Sequence, residues 1–116
     1  MYFGLSEEQQ FFQESVNKFV QDTVTVDALK EYRTGENKDL TKIVYNGLNE
    51  MGLSGLIVPE QYGGLGLDSL FAISVSESLG KGVAPYPFIG SFLIAPFLID
   101  QLGNDIQKQN YLPGIA

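Results

Sequence analysis

The sequence predicts an all-α fold, a compact bundle of about five to six helices. Three observations predict it. Apolar residues recur at i, i+3, i+4 and i+7 along much of the chain, the spacing of a helix that buries one face. Capping residues stand just ahead of several of these runs and glycines just behind them. The one β-like run, residues 56–58, is cut off by Pro59, which has no N–H for a sheet ladder.

The first helix starts at Ser6, with Gln9 three residues on as in a capping box. Glu7 and Glu8 occupy the first turn, where the helix dipole favours negative charge. Phe12, Val16, Phe19 and Val20 form its apolar face, and the helix is expected to stop near Asp22, because "TVTV" is β-branched. A short second helix is expected over residues 27–32, with Gly35 as the stop in the loop "RTGENK". Asp39 caps the third, whose stripe is Leu40, Ile43, Val44, Leu48 and Met51, with Gly47 on the same side and Gly52 at the end.

The fourth helix follows Asp68 and runs to about Leu79. It carries Leu70, Phe71, Ile73, Val75 and Leu79 among Ala72, Ser74, Ser76 and Ser78. Small residues allow close approach, so this helix is expected to be central. "GKG" at 80–82 should end it. The fifth helix opens near Pro87, where a missing N–H costs little. From 88 to 102 only Ser91, Asp100 and Gln101 are clearly polar, so burial on nearly all sides is expected. Pro96 should kink it by removing the bond to the Phe92 carbonyl. Gly103 ends it. Asn104 caps a last helix, with Gln107 at the capping-box position and Pro113 near its end. So apolar a fifth helix implies either oligomerisation through it or a longer protein.

At 116 residues the chain suffices for one domain, and 44% apolar with 18% charged residues means that it folds. A net charge of −7 argues against nucleic acid, anionic membranes and polyanionic cofactors. With no Cys and no His, thiol nucleophiles, Cys/His metal sites and Ser-His-Asp arrangements are excluded. "MYFGLSEEQQ" has no basic region or long apolar run, so it is not a signal peptide. The apolar stretch 88–99 is too short to span a bilayer. A soluble, cytoplasmic protein is the expectation.

The stretch "LIVPEQYGGLGLDS" raises the question of a phosphate-binding loop. From Gly64 it reads G-L-G-L-D-S, so Ser69 stands where a dinucleotide fingerprint needs its third glycine. Asp68 sits where the phosphate would bind. No strand–helix–strand pattern surrounds it, and Lys81 is followed by Gly82 rather than by Ser or Thr. The residues read instead as a tight connector with left-handed positions. Glu77 is the one carboxylate placed to tempt a general-base reading, but a carboxylate near a helix end is more often solvated or paired. Glu7, Glu8, Glu14, Asp27 and Glu31 read as surface charge.

Several separated segments carry a resemblance. "MGLSGLIVPEQYGGLGLD" at 51–68 resembles the signature stretch of the N-terminal helical domain of acyl-CoA dehydrogenases. "LSEEQQFFQESVNKFV", "EYRTGE", "VSESLGKG" and "LGNDIQKQNYLP" resemble other parts of that domain in the same order. The resemblance covers essentially the whole chain. It implies a flavoprotein of three domains: N-terminal helices, a middle β-domain and a C-terminal helical bundle. It implies α,β-dehydrogenation of an acyl-CoA to a 2,3-enoyl-CoA with FAD, and transfer of electrons to an electron-transfer flavoprotein. The family's catalytic carboxylate and most of its FAD and CoA contacts belong to the later domains. None is expected here, so this chain should be inactive alone.

By the same resemblance the fifth helix lines the acyl-chain cavity, through Tyr86, Pro87, Gly90, Ser91 and Ile94. Medium-chain members carry Glu at the position of Gly90, so glycine implies a deeper or wider pocket. "GVAPYPF" resembles members that handle bulky or long acyl groups. For each position, plain core packing is the competing reading. Two other functions stay open: an oxidase or monooxygenase sharing this domain, and a non-enzymatic helical association module.

Overall fold

The computed structural model describes residues 4–116, so Met1–Phe3 of the stretch judged not to be a signal lie outside it. Among the described residues there are helices and turns and no strand, so residues 56–58 make no ladder. The chain forms two compact units: Met1–Gly47 with Ile73–Tyr86, and Leu48–Ala72 with Pro87–Ala116.

In the first unit, α1 (Glu7–Thr23) has the expected capping box between Ser6 and Gln9. Val16 and Val20 are buried on its apolar face. The β-branched run does interrupt the helix, yet only briefly. Thr25 accepts from the Ala28 N–H and starts α2 (Val26–Thr34) one residue earlier than expected. Gly35 ends α2 at φ +82. α3 (Leu40–Glu50) buries Leu40, Val44 and Leu48 at i, i+4 and i+8, while Ile43 is exposed, so the stripe is narrower than expected. A Cβ on Gly47 would stand 2.2 Å from Cζ of Phe19; the glycine makes room for that ring.

α4 (Ser69–Lys81) begins in the second unit and continues in the first. Asp68 Oδ1 accepts from the N–H groups of Leu70 and Phe71, confirming its cap. The helix buries Phe71, Ala72, Ser74, Val75, Ser78 and Leu79, but Leu70 and Ile73 point outward. Small residues therefore occupy much of the buried face, and two of the large apolar ones do not.

In the second unit, Gly52 ends α3 in left-handed backbone (φ +75) and starts a 3₁₀ turn, Leu53–Gly55. Leu53, Leu56 and Val58 are fully buried, each stabilising by about 1.5–3 kcal/mol. A second 3₁₀ turn, Glu60–Tyr62, leads into the glycine loop. A π-helical segment, Ile89–Ile94, runs without a break into α5 (Ala95–Leu102). Asn104 and Gln107 form the capping box of α6 (Asp105–Ile115). This helix passes through Pro113 rather than ending there. Only one bond, to the carbonyl of Gln109, is forfeited, within two residues of the helix end. Ser54 is buried and donates to Asn49 Oδ1.

Candidate functional site

The N–H groups of residues 63–67 in the glycine loop are all engaged. Gly63 and Gly64 donate to the carbonyls of Glu60 and Pro59; Leu65, Gly66 and Leu67 donate to those of Gly55, Val58 and Leu56. Five consecutive N–H groups are thus spent on the loop's own backbone. A phosphate cradle needs such groups free and converging. Gly63 and Gly66 have φ +87 and +60, the left-handed turn positions that the connector reading requires. Gly64 serves a different need: a Cβ there would lie 2.1 Å from the carbonyl oxygen of Val58. The stretch is a folded connector that locks the two 3₁₀ turns together and launches α4.

The exit of α4 leads to the expected acyl wall. Ala84 donates to the Leu79 carbonyl and Val83 to that of Gly80, the two bonds of a Schellman turn. The left-handed residue of that turn is Val83, at φ +53. "GKG", expected to end the helix, does not supply it. Gly82 has another task, because a Cβ there would sit 2.0 Å from Cγ1 of buried Val20. Tyr86 comes three residues after Val83, donating its N–H to the Ala84 carbonyl at 2.9 Å. Its half-buried ring lies 5.6 Å from that of Tyr45, tilted at 43°.

Beyond Tyr86 the chain winds as a π-helix. Pro96 explains where: it has no N–H for the Phe92 carbonyl, and its ring crowds that carbonyl. The chain answers by widening the turns ahead of it, with Ala95 donating to Gly90, five residues back. The expected kink is replaced by a π-segment, a feature found often at functional sites. Phe88, Phe92 and Pro96 are buried at i, i+4 and i+8, with the rings of Phe88 and Phe92 edge to face at 5.6 Å. On the other sides Ile89, Ile94, Phe97, Leu98 and Leu102 are 46–79% exposed. The helix is therefore not buried all round within this chain; its polar residues are too few to cover it.

Of the five expected wall positions, Pro87, Gly90 and Ile94 are exposed and Tyr86 and Ser91 half-buried. None is buried in the core of this chain. A Cβ on Gly90 would meet nothing within 4 Å. The Ser91 N–H donates to the Pro87 carbonyl at 3.1 Å, fixing the first turn of the segment. Glu77 is exposed and accepts from Gln13 Nε2 at 3.3 Å, a solvated partner rather than a buried base. Among the described residues no group of three or more Asp and Glu is arranged to hold a metal ion, and no helix is long and apolar enough to cross a membrane.

The family description "Acyl-CoA dehydrogenase, N-terminal domain" matches residues 6–116. The chain belongs to the acyl-CoA dehydrogenase family. It is 34% identical over 113 residues to isovaleryl-CoA dehydrogenase, mitochondrial, of Pongo abelii, covering 95% of this chain and 26% of that protein. It is 32% identical over 114 residues to (2S)-methylsuccinyl-CoA dehydrogenase of Cereibacter sphaeroides, covering 97% of this chain and 20% of that one. In fold it is similar to a chain from "Electron transferring flavoprotein of Acidaminococcus fermentans: Towards a mechanism of flavin-based electron bifurcation". The TM-score is 0.77 and the identity 28%, over 100% of this chain and 30% of that one. The chain thus spans about a quarter of the length of these relatives.

Acyl-CoA dehydrogenases imply FAD, and these residues do not fit its pyrophosphate. The loop donors are used, the helix they precede is capped by a carboxylate, and the net charge is −7. This acyl-CoA dehydrogenase domain does have a groove that the sequence did not reveal. Leu98, Ile99, Leu102, Gly103, Gln107 and Tyr111 line an open, largely apolar depression of about 270 Å³ between α5 and α6. None of the expected wall residues belongs to it. The Lys108–Asp100 pair, 3.9 Å apart, also joins these two helices. The signal was the surplus of apolar residues on α5, read as burial.

Proposed function

We propose that this chain is the N-terminal helical domain of an FAD-dependent acyl-CoA dehydrogenase. The whole protein would convert an acyl-CoA thioester to the 2,3-enoyl-CoA and pass electrons to an electron-transfer flavoprotein. This domain would contribute part of the acyl-chain wall through Tyr86, Pro87, Gly90, Ser91 and Ile94, and would not turn over substrate alone. The observation that carries the reading is the family match over residues 6–116. The exposure of Pro87, Gly90 and Ile94 supports the wall assignment, since a wall must face something other than its own core. The spent loop donors support placing FAD outside this chain.

The test compares the 116-residue chain with the full-length protein. Acyl-CoA oxidation and bound flavin are expected of the full-length protein and neither of them in the short chain. Stoichiometric FAD on the purified short chain, or turnover by it, would overturn the division of labour. A second reading, a helical association module, draws on the exposed apolar residues of the π-segment and α5. Light scattering separates them: a strictly monomeric short chain removes that support.

A further inference from the structure

Among the described residues Val83 is the one non-glycine with positive φ. A β-branched side chain in left-handed backbone is strained, because its Cβ crowds the neighbouring carbonyls. Burial does not offset the strain, since Val83 is 65% exposed. The turn around it is otherwise stiff. Gly82 is held close against Val20. Pro85 and Pro87 have locked φ, and each restricts the residue before it, Ala84 and Tyr86, to extended backbone. Backbone freedom between α4 and the π-segment is therefore concentrated at Val83, where the resting conformation is also the least favoured one.

We infer that Val83 is a strained hinge, at which the stiff strap of residues 84–86 swings away from the end of α4. Rotation at Val83 moves the residues on its C-terminal side. Opening therefore breaks the bond from the Ala84 N–H to the Leu79 carbonyl and carries the Tyr86 ring off Tyr45, at 5.6 Å in the closed state. The bond from the Val83 N–H to the Gly80 carbonyl precedes the hinge and survives. Strain relief on opening favours the open state over that of an unstrained turn. Its consequence for an acyl group rests on the reading of Tyr86 as pocket wall; the hinge itself does not.

Amide hydrogen exchange on the full-length protein tests it, with rates corrected for sequence. In the native protein Ala84 should exchange through a local opening that spares Val83 and the α4 amide of Val75. Val83→Gly should slow Ala84 by about two- to fivefold, the strain removed less the freedom that glycine returns to the open state. Val75 should not change. Val83→Ile keeps the strain and should leave Ala84 as it was. An unchanged Ala84 rate in Val83→Gly, equal slowing at Val75, or slowing by Val83→Ile would each overturn the hinge. Failure of the pocket reading shows elsewhere, in an acyl-chain profile unaffected by Gly90→Glu.

Discussion

α4 lies between two glycine-rich turns that solve different problems. The turn ahead of it, "YGGLGLD", puts glycine at both left-handed positions, Gly63 and Gly66, and uses Gly64 where two backbones meet. The turn behind it, "GKGV", puts its glycine where Val20 presses on the chain and leaves the left-handed position to valine. One turn is unstrained, with the N–H groups of Gly63 to Leu67 all bonded to backbone carbonyls; the other is closed by the N–H groups of Gly82, Val83 and Ala84 and holds a strained residue. A glycine therefore has to be assigned a reason, close approach or positive φ, before its replacement can be forecast.

The largest effect is expected at Gly64. A Cβ there meets a backbone carbonyl oxygen and carbon at 2.1 and 2.6 Å, neither of which can rotate away. Gly64→Ala should cost at least about 3 kcal/mol, read by urea melts. Gly82→Ala comes next: its clash at 2.0 Å is with a side-chain methyl, which can shift, so about 1–3 kcal/mol is expected. Gly63→Ala meets nothing within 4 Å, and only its φ objects, at about 1–2 kcal/mol. A loss at Gly63 equal to that at Gly64 would break the distinction between the two reasons. Val83→Gly should have the opposite sign, stabilising by about 0.5–1 kcal/mol once glycine's unfolded-state entropy is counted. Gly90→Glu is exposed and unobstructed, so stability should stay within about 0.5 kcal/mol.

The caps were legible because they are local: Ser6, Asp68 and Asn104 act through residues two to three positions on. The rejection of a phosphate loop was legible too, from the missing third glycine and from Asp68. What the sequence could not convey was which apolar residues lie outward. Ile43, Leu70 and Ile73 sit one helical step from buried neighbours, and a hydrophobic pattern alone does not say how wide the covered stripe is. The π-segment was hidden for a similar reason. Pro96 announces a missing hydrogen bond, but not whether the chain kinks or widens its turns in response. The valine at the α4 exit escaped notice because "GKG" offered a glycine one residue too early.

The central claim is that the π-segment forms part of an acyl-chain wall with Gly90 facing the chain. Acyl-CoA chain-length profiles of the full-length protein and its Gly90→Glu variant test it most directly. The account predicts that the variant, at unchanged stability, shifts its preference to shorter acyl groups, because a carboxylate side chain fills space that glycine leaves open. An unchanged profile in a folded, flavin-loaded variant would contradict it.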